Sequence, residues 1–346
     1  MYLVSNMIQN MEELHKWAAK YLLVLGNHES LSEPMGDSRV IGLRTILTLL
    51  LLMDFLLIFC VSTSVAISDP PKQIHLTWQR DDTAHTVTIT WKTNTLNSGD
   101  TVRYDTTSHN GNPDNYMHQV QGSSHTYDEA GGYVHDVELV SLIPETTYYF
   151  ICGGEVGGWS DERTFKTAPT ASSRVRFVVG GDCRTNNTER DKISQVVSEL
   201  SPDFILLSGD LIEDGNNQDQ WNNFFQHVDE YWIDNDNATI PFISALGNHE
   251  ADFSKYQEQL ALPNNEQWYS LDWGPDIHLT IINSEANPEG LLAQRNWLEE
   301  DLMAHTSCSW KIVIFHRNVF ASSHEGWTDA FEYFVPLFDK YHVSKL

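Results

Sequence analysis

Four polar residues in the second half of the sequence have the types and the order that a metal site requires. Asp182, Asp210, Asn248 and His316 each follow a short apolar run. Their carboxylate, amide and imidazole groups are the donors that hold catalytic metal ions in proteins. The ordinary role of a single Asp or Asn is a turn or a strand-end cap. Four such residues, each placed after an apolar run, indicate one assembled site instead.

This donor set predicts a two-metal centre. Two cations about 3.5 Å apart need a shared carboxylate and flanking oxygen and nitrogen ligands. Asp210 is the predicted bridge, with Asp182 on one cation and Asn248 and His316 on the other. A cation pair polarises phosphoryl oxygens and lowers the pKa of a bound water, which then attacks near neutral or acid pH. We therefore expect hydrolysis of a phosphoester.

The apolar runs before these residues have the pattern of strands in an α/β domain. Runs 175–179, 204–207, 241–246 and 310–315 precede the four residues, and 193–200 has helical spacing. In open α/β sheets, ligands bind beyond the carboxyl ends of the strands. The four side chains are therefore predicted to meet at one edge of the sheet structure.

A different pattern, of short strands without helical periodicity, occupies residues 70–169. Apolar and polar residues alternate at 73–78 and 86–91, and Gly, Asn and Pro clusters separate the runs. Further predicted strands are 101–104, 134–139, 147–152 and 163–167. Strands at this spacing favour a β-sandwich. A predicted linker, 168–173, follows it.

The aromatic residues of this sandwich are predicted to be structural. Trp78, Trp91 and Trp159 are expected to fill its core. Six histidines in the same region show no paired spacing and are expected at the surface or in the sheets. They are His75, His85, His109, His118, His125 and His135.

The N-terminal region has the composition of a targeting segment. Residues 41–67 are largely apolar, follow two arginines and end in small residues before a cleavage position after Ala66. The run is also long enough to span a bilayer, so a signal peptide and a membrane anchor, both within 35–67, remain open. Either one predicts domains outside the cytoplasm. Residues 1–34 are expected to be an upstream extension without a folded domain.

The overall composition excludes some classes of partner. The chain has 346 residues and a formal net charge of −27, so nucleic-acid binding is not expected. Four cysteines without metal-site or CxxC spacing argue against a disulfide framework.

The polar motifs of the second half resemble those of a known superfamily. Gly181-Asp182, Gly209-Asp210, Gly247-Asn248-His249-Glu250 and Phe315-His316 are similar to the ordered motifs of calcineurin-like metallophosphoesterases.

Segments on both sides of the predicted linker narrow the resemblance to purple acid phosphatases. Their N-terminal fibronectin type III-like domain is resembled by 71–76, 101–104, 142–149 and 159–169, and their catalytic half by 268–274 and 294–302. The resemblance implies an all-β fibronectin type III-like sandwich followed by an α/β domain, an αββα sandwich, over 174–346.

The resemblance also implies an activity and roles for further residues. It implies hydrolysis of phosphate monoesters from a small molecule or a phosphoprotein, with two metal ions that are iron, zinc or manganese. By position, His249 would contact phosphate near the metals. His324 would bind substrate or donate a proton.

Three departures from the family pattern limit what is carried over. Glu213 stands where purple acid phosphatases have an iron-binding tyrosine, so no purple colour is expected. Arg184 stands where the wider superfamily has a histidine, and is predicted to bind substrate phosphate instead. The sequence ends at Leu346, before the family's last Gly-His-x-His motif, and is therefore expected to be truncated at its C-terminus.

Two other functions remain open at this stage. A phosphodiesterase or nucleotidase could use the same scaffold, because the metal site does not select the ester. A protein with an incomplete metal site could also be an inactive remnant that acts as a binding module.

Overall fold

The alternating strands of the first half fold into two facing sheets. The computed structural model describes residues 68–184, 187–250, 253–322 and 326–344. The predicted extension 1–34, the predicted signal or anchor 35–67, and His324 lie outside the described residues. Within the described ranges, no helix combines the length and apolar character needed to cross a membrane.

Nine strands of the described chain belong to this first half. They are β1 (Lys72–Thr77), β2 (Val87–Thr93), β3 (Thr101–Asp105), β4 (His118–Gln121), β5 (Ser123–His125), β6 (Tyr133–Leu139), β7 (Thr147–Gly154), β8 (Gly158–Trp159) and β9 (Arg163–Lys166). One sheet has the order β1-β2-β6-β5, and the other has the order β4-β3-β7-β8 with β9 paired to β7. The predicted β-sandwich is confirmed.

The core of the sandwich comes from the residues that the alternation placed on one face of each strand. Ile89 and Val137 of the first sheet are buried with Val102 and Phe150 of the second. β4 and β5 were missed by the sequence analysis because HQVQ and SSH carry little apolar signal. β8 was missed because it is two residues long.

The three tryptophans have three different environments. Trp91 is buried in the sandwich core, as predicted. Trp78 packs edge-to-face on Trp273 of the second half, with ring centroids 6.0 Å apart, and belongs to that half's core. Trp159 is only partly buried and lies under the Arg103 guanidinium at 4.9 Å. The prediction that all three fill the sandwich core is therefore wrong for Trp78 and Trp159.

The second half has six strands and six α-helices among the described residues. The strands are β10 (Phe177–Gly180), β11 (Phe204–Leu207), β12 (Phe242–Ser244), β13 (Tyr269–Trp273), β14 (Ile277–Ile281) and β15 (Trp310–Ile314). The helices are α1 (Asn187–Leu200), α2 (Gln218–Tyr231), α3 (Ser254–Gln257), α4 (Pro288–Ala304), α5 (Asp329–Tyr333) and α6 (Val335–Tyr341).

These elements form the predicted αββα sandwich. The parallel sheet β10-β11-β12 and the mixed sheet β13-β14-β15 share one core. Apolar residues of α1 and α2 join that core, whereas α4, α5 and α6 bury their apolar residues in a separate cluster with Val313 of β15. All four residues of β11 are buried, as expected for a strand of a parallel sheet with both faces covered.

An ion pair connects the sandwich to the second half. Asp229 of α2 accepts hydrogen bonds from the Arg163 guanidinium at 2.5 Å and from the Gln73 backbone N–H at 2.7 Å. Both charged side chains are largely buried. The described residues from 68 onward accordingly belong to one compact unit.

Candidate metal centre

The predicted metal ligands lie on the loops that follow four strands. Asp182, Asp210 and Asn248 follow β10, β11 and β12, which are neighbours in one parallel sheet. His316 follows β15 of the facing sheet. The carboxyl ends of the parallel strands meet at one edge, and the loop after β15 reaches the same place from the second sheet.

The imidazole of His316 identifies where a cation would bind. Its Nδ1 lies 3.0 Å from the backbone oxygen of Ser208, so Nδ1 carries the hydrogen and donates it. In the neutral ring, Nε2 then presents a lone pair. That atom lies 3.2 Å from Asn248 Oδ1 and 3.4 Å from Asp210 Oδ1. Three atoms that can act as acceptors thus converge, and either a cation or a proton on Nε2 can join them.

The hydrogen bond to Ser208 is also the kind that orients a metal ligand. Metal-binding histidines commonly donate their second ring N–H to a backbone carbonyl, which fixes the tautomer and the ring orientation. His316 meets this condition. The residues on this side of Asp210 therefore fit one cation.

Asp210 is buried and held on both oxygens. Oδ1 accepts the backbone N–H of His249 at 3.0 Å, and Oδ2 accepts a hydrogen bond from Arg184 Nη2 at 2.8 Å. The preceding Gly209 has a φ of 95°, and a side-chain Cβ there would lie 2.6 Å from the Gly247 nitrogen. Only glycine allows the loops after β11 and β12 to approach this closely.

Glu250 holds these two loops together, a role that the sequence analysis did not assign. Its carboxylate is buried and accepts the backbone N–H groups of Asp210, Leu211 and Gly247 at 3.0, 2.8 and 2.6 Å. Burial raises the pKa of Glu250, although the three hydrogen bonds oppose that shift. The Gly-Asn-His-Glu motif contained the signal, since its last residue is charged and follows the ligand by two positions.

Arg184, predicted to bind substrate phosphate, contacts three acidic side chains in this structure. Its Nη2 contacts Asp182 Oδ1 at 3.0 Å as well as Asp210 Oδ2, and its Nη1 lies 3.6 Å from Glu213 Oε2. Burial opposes the charge, but the Asp182 hydrogen bond and the nearby carboxylates outweigh it and raise the pKa of Arg184. Three acidic groups therefore bind the side chain that was predicted to bind phosphate. Among the described side-chain contacts, the Arg184 guanidinium connects Asp182 to Asp210 by donating a hydrogen bond to each.

His249 faces Asp210 Oδ2, whereas His316 faces Oδ1 of the same carboxylate. Its Nδ1 donates to the backbone oxygen of Glu213 at 2.5 Å, and its Nε2 lies 3.8 Å from Asp210 Oδ2. The ring is thus oriented with Nε2 towards the site. His324, the other residue predicted to act on substrate, lies outside the described residues.

The metal ligands border an open polar cleft of about 690 Å³. Asp182, Arg184, Asn248 and His316 are among the residues that line it. Arg317 also lines it and was not singled out from the sequence. Its guanidinium binds the Glu285 carboxylate through Nε at 2.9 Å and Nη2 at 2.5 Å. Its position directly after His316 was the available signal.

A second polar constellation has the geometry of a nucleophilic triad but lacks access. Ser194 Oγ lies 2.7 Å from His227 Nε2, and His227 Nδ1 lies 2.8 Å from Asp191 Oδ1. Ser194 is buried, and its Oγ accepts a hydrogen bond from Trp232 Nε1 at 3.1 Å. A nucleophile must reach substrate. This network therefore joins α1 to α2 and serves packing.

Family comparisons agree with the two-part fold. Residues 71–167 match the family described as purple acid phosphatase, N-terminal domain, and residues 175–345 match the family described as calcineurin-like phosphoesterase.

Individual similar proteins agree with these family matches. Purple acid phosphatase 21 and purple acid phosphatase 18 of Arabidopsis thaliana are each 26% identical, over 71% and 75% of this chain and 56% and 60% of their own lengths. A purple acid phosphatase structure, PPD1 from yellow lupin (Lupinus luteus), aligns with a TM-score of 0.63 at 21% identity, over 80% of this chain and 57% of that one. The chain thus spans less than two thirds of the relatives it matches.

The β-sandwich and the αββα sandwich that follows it occupy the same two regions as the two family matches. The chain belongs to the calcineurin-like phosphoesterases, and within them to the group similar to purple acid phosphatases.

Proposed function

We propose that this protein hydrolyses phosphate monoesters with the help of metal bound at the carboxyl ends of β10, β11, β12 and β15. The observation that carries the proposal is the convergence of Asp210 Oδ1, Asn248 Oδ1 and His316 Nε2, with the other ring nitrogen of His316 bound to the Ser208 carbonyl. Such a set binds a divalent or trivalent cation of the borderline class, which includes iron, zinc and manganese.

The family uses a dinuclear metal centre. The described residues fit one cation between Asp210, Asn248 and His316. They do not fit a second cation between Asp182 and Asp210, because the Arg184 guanidinium lies there. When bound, a cation in such a site supplies Lewis acidity to the phosphoryl group and lowers the pKa of water.

The chain's own residues have separate parts in this proposal. Asp210, Asn248 and His316 bind the cation, and the Ser208 carbonyl orients the His316 ring. His249 Nε2 lies 3.8 Å from Asp210 Oδ2, on the Arg184 side of that carboxylate. Contact of His249 with a phosphate oxygen stays a prediction from its sequence position. His324 stays a sequence-based prediction of a substrate-binding or proton-donating residue.

The substrate would be a phosphorylated small molecule or a phosphoprotein. The cleft is open and polar, which suits a charged ester with a leaving group that extends into solvent. The net charge of −27 disfavours a nucleic-acid partner. The sequence of 41–67 supports a location outside the cytoplasm, either secreted or anchored at a membrane.

Turnover of p-nitrophenyl phosphate before and after metal chelation tests the proposal. We expect activity that is lost on chelation and returns with zinc or manganese, and a loss of at least about 100-fold in Asn248→Ala and His316→Ala. Asp128→Asn, an exposed position in the sandwich, is the control that should keep full activity. Circular dichroism checks that each variant is folded.

The outcomes separate the three candidate functions. Faster turnover of bis-p-nitrophenyl phosphate than of the monoester would indicate a phosphodiesterase instead. Activity that survives chelation and both substitutions would contradict the proposed site. Absence of both bound metal and turnover in the folded protein would leave only a binding role.

A further inference from the structure

The guanidinium of Arg184 occupies the space between two carboxylates at the edge of the candidate metal centre. Nη2 lies 2.8 Å from Asp210 Oδ2 and 3.0 Å from Asp182 Oδ1, and Nη1 lies 3.6 Å from Glu213 Oε2. One planar cation therefore contacts three acidic side chains. An arginine is suited to this arrangement because it stays protonated and presents several N–H donors in a fixed plane.

Backbone hydrogen bonds fix the position of the main chain from which the Arg184 side chain extends. The Asp182 N–H donates to the Gly209 oxygen at 3.0 Å, and the Arg184 N–H donates to the Asp210 oxygen at 3.2 Å. The Arg184 carbonyl accepts a hydrogen bond from the largely buried Arg190 at 2.9 Å. The loop after β10 is thus fixed against the loop after β11, and Arg184 starts within reach of both carboxylates.

A metal ion shared by Asp182 and Asp210 would compete for the same place. Carboxylate oxygens bind such an ion at about 2.0–2.2 Å. An ion at that distance from both Asp182 Oδ1 and Asp210 Oδ2, on the side of these oxygens where Nη2 lies, would overlap Nη2, which is within 3.0 Å of the same two atoms. The guanidinium and a second cation would also repel each other.

Asp210 therefore has two unlike sides. Its Oδ1 faces Asn248 and His316, which offer an amide oxygen and an imidazole nitrogen. Its Oδ2 is already neutralised by Arg184. The Asp210 carboxylate thus binds the Arg184 guanidinium through Oδ2 and faces the candidate metal ligands Asn248 and His316 through Oδ1.

We propose that Arg184 replaces one of the two cations, so that this protein binds a single metal ion through Asp210, Asn248 and His316. The guanidinium then supplies the positive charge on the Asp182 side, and it lines the cleft where a phosphate would bind. The inference rests on the proposed function for the identity of the metal site. It differs from that function in predicting how many ions bind and why.

Metal counting tests this without relying on activity. The purified protein is depleted with chelator, equilibrated with zinc, freed of excess metal by gel filtration, and analysed by mass spectrometry of the metal against protein concentration. We expect one zinc per chain in the unsubstituted protein and also in Asp182→Ala. We expect little or none in Asn248→Ala.

The decisive variant is Arg184→His, which removes the guanidinium and adds a neutral donor. It should bind two zinc ions per chain, and the double variant Arg184→His/Asp182→Ala should return to one. Arg295→His on the surface of α4 adds a histidine away from the cleft and should stay at one. Circular dichroism melting verifies that each variant is folded.

Each outcome has a distinct meaning. Two zinc ions in the unsubstituted protein, or one in folded Arg184→His, would overturn the replacement of a cation by Arg184 while leaving the proposed hydrolase intact. No zinc in the unsubstituted protein would overturn both. One zinc per chain without turnover of p-nitrophenyl phosphate would remove the proposed activity, and the inference about Arg184 would stand.

Discussion

The Glu250 carboxylate holds the backbone of Asp210, with Oε2 3.0 Å from the Asp210 amide nitrogen. The same oxygen accepts the Gly247 N–H at 2.6 Å, and Oε1 accepts the Leu211 N–H at 2.8 Å. One side chain therefore connects the loop that carries Asp210 to the loop that carries Asn248. Glu250 is 1% exposed, so water cannot replace these contacts.

Substitution Glu250→Gln should weaken both the fold and the metal site. The amide retains one acceptor oxygen and places an NH₂ group where a carboxylate oxygen accepted a backbone N–H, so buried donors lose their partner. We expect a loss of about 2 kcal/mol in the free energy of unfolding by urea at pH 7, together with weaker zinc binding. Glu155→Gln, at an exposed position, should change the unfolding free energy by less than about 0.5 kcal/mol. Equal stability and equal zinc affinity in both variants would contradict the role given to Glu250.

The strands of the site could be predicted from sequence because each is a short apolar run that ends at a polar residue. Phe204–Leu207 was predicted with the bounds that the structure shows. What the runs do not encode is sheet membership. β15 lies in the second sheet, so His316 reaches Asp210 across the sandwich and not along one sheet edge.

The contacts of Arg184 and Glu250 that the sequence analysis did not give depend on the tertiary structure. Arg184 was assigned to phosphate because arginine commonly binds phosphate, whereas the nearest anions in the fold are Asp182 and Asp210. Glu250 received no role because its partners are backbone N–H groups of residues 210 and 211, about 40 positions away along the chain. The Gly-Asn-His-Glu motif marks Glu250 as a candidate, but no spacing pattern in a single sequence identifies the partners of either residue.

His278 should stabilise the protein at acid and neutral pH. Its Nδ1 and Nε2 each lie 2.8 Å from a carboxylate oxygen, of Asp272 and Asp301, and the His305 ring stacks on it at 3.7 Å. Burial alone would lower the pKa of His278, but these two carboxylates outweigh burial and raise it to about 9. A raised histidine pKa stabilises the fold fully below the unfolded value of about 6.5, and this stabilisation is lost as the pH rises through about 9.

The variant His278→Gln measures this contribution. We expect it to be less stable than the unsubstituted protein by up to about 3 kcal/mol at pH 6, with a difference that shrinks as the pH approaches 10. Urea unfolding across that range provides the values, and exposed His118→Gln is the matched control. A difference that stays constant from pH 6 to 10 would show that His278 acts through packing alone.

His227 should have the opposite pH dependence. Burial lowers its pKa to about 4, assisted by the charge of Arg190 and opposed by Asp191. The neutral ring donates from Nδ1 to Asp191 and accepts at Nε2 from the Ser194 hydroxyl. The stabilisation by this neutral histidine is therefore present above about pH 6.5 and is lost as the pH falls through about 4.

For His227→Gln, the loss of stability should be greatest at pH 7 and should shrink towards pH 4. The unsubstituted protein loses up to about 3 kcal/mol from this group over that interval, and the variant does not. The same urea series and the same His118→Gln control apply. A gap that widens as the pH falls would mean that His227 is protonated in the fold.

Arg317 should contribute to substrate binding more than to the chemical step. It lines the cleft directly after His316, and the Glu285 carboxylate fixes its guanidinium through Nε and Nη2. The hydrogen bonds that Arg317 donates to the Glu285 carboxylate raise the pKa of Arg317, so it stays cationic. A charge-assisted hydrogen bond to phosphate contributes about 1.5–3 kcal/mol. In the proposed hydrolase, Arg317→Ala should therefore raise KM for p-nitrophenyl phosphate about tenfold with a smaller effect on kcat.

The inhibition constant of inorganic phosphate provides a second measure of the same contact. It should rise with KM in Arg317→Ala, because phosphate needs the guanidinium but undergoes no reaction. Glu285→Gln keeps the arginine and removes the charge that fixes it, so a smaller rise in both values is expected. Arg295→Ala, on the surface of α4, should change neither. A fall in kcat with unchanged KM and unchanged phosphate inhibition would show that Arg317 stabilises the transition state, and would exclude the binding role.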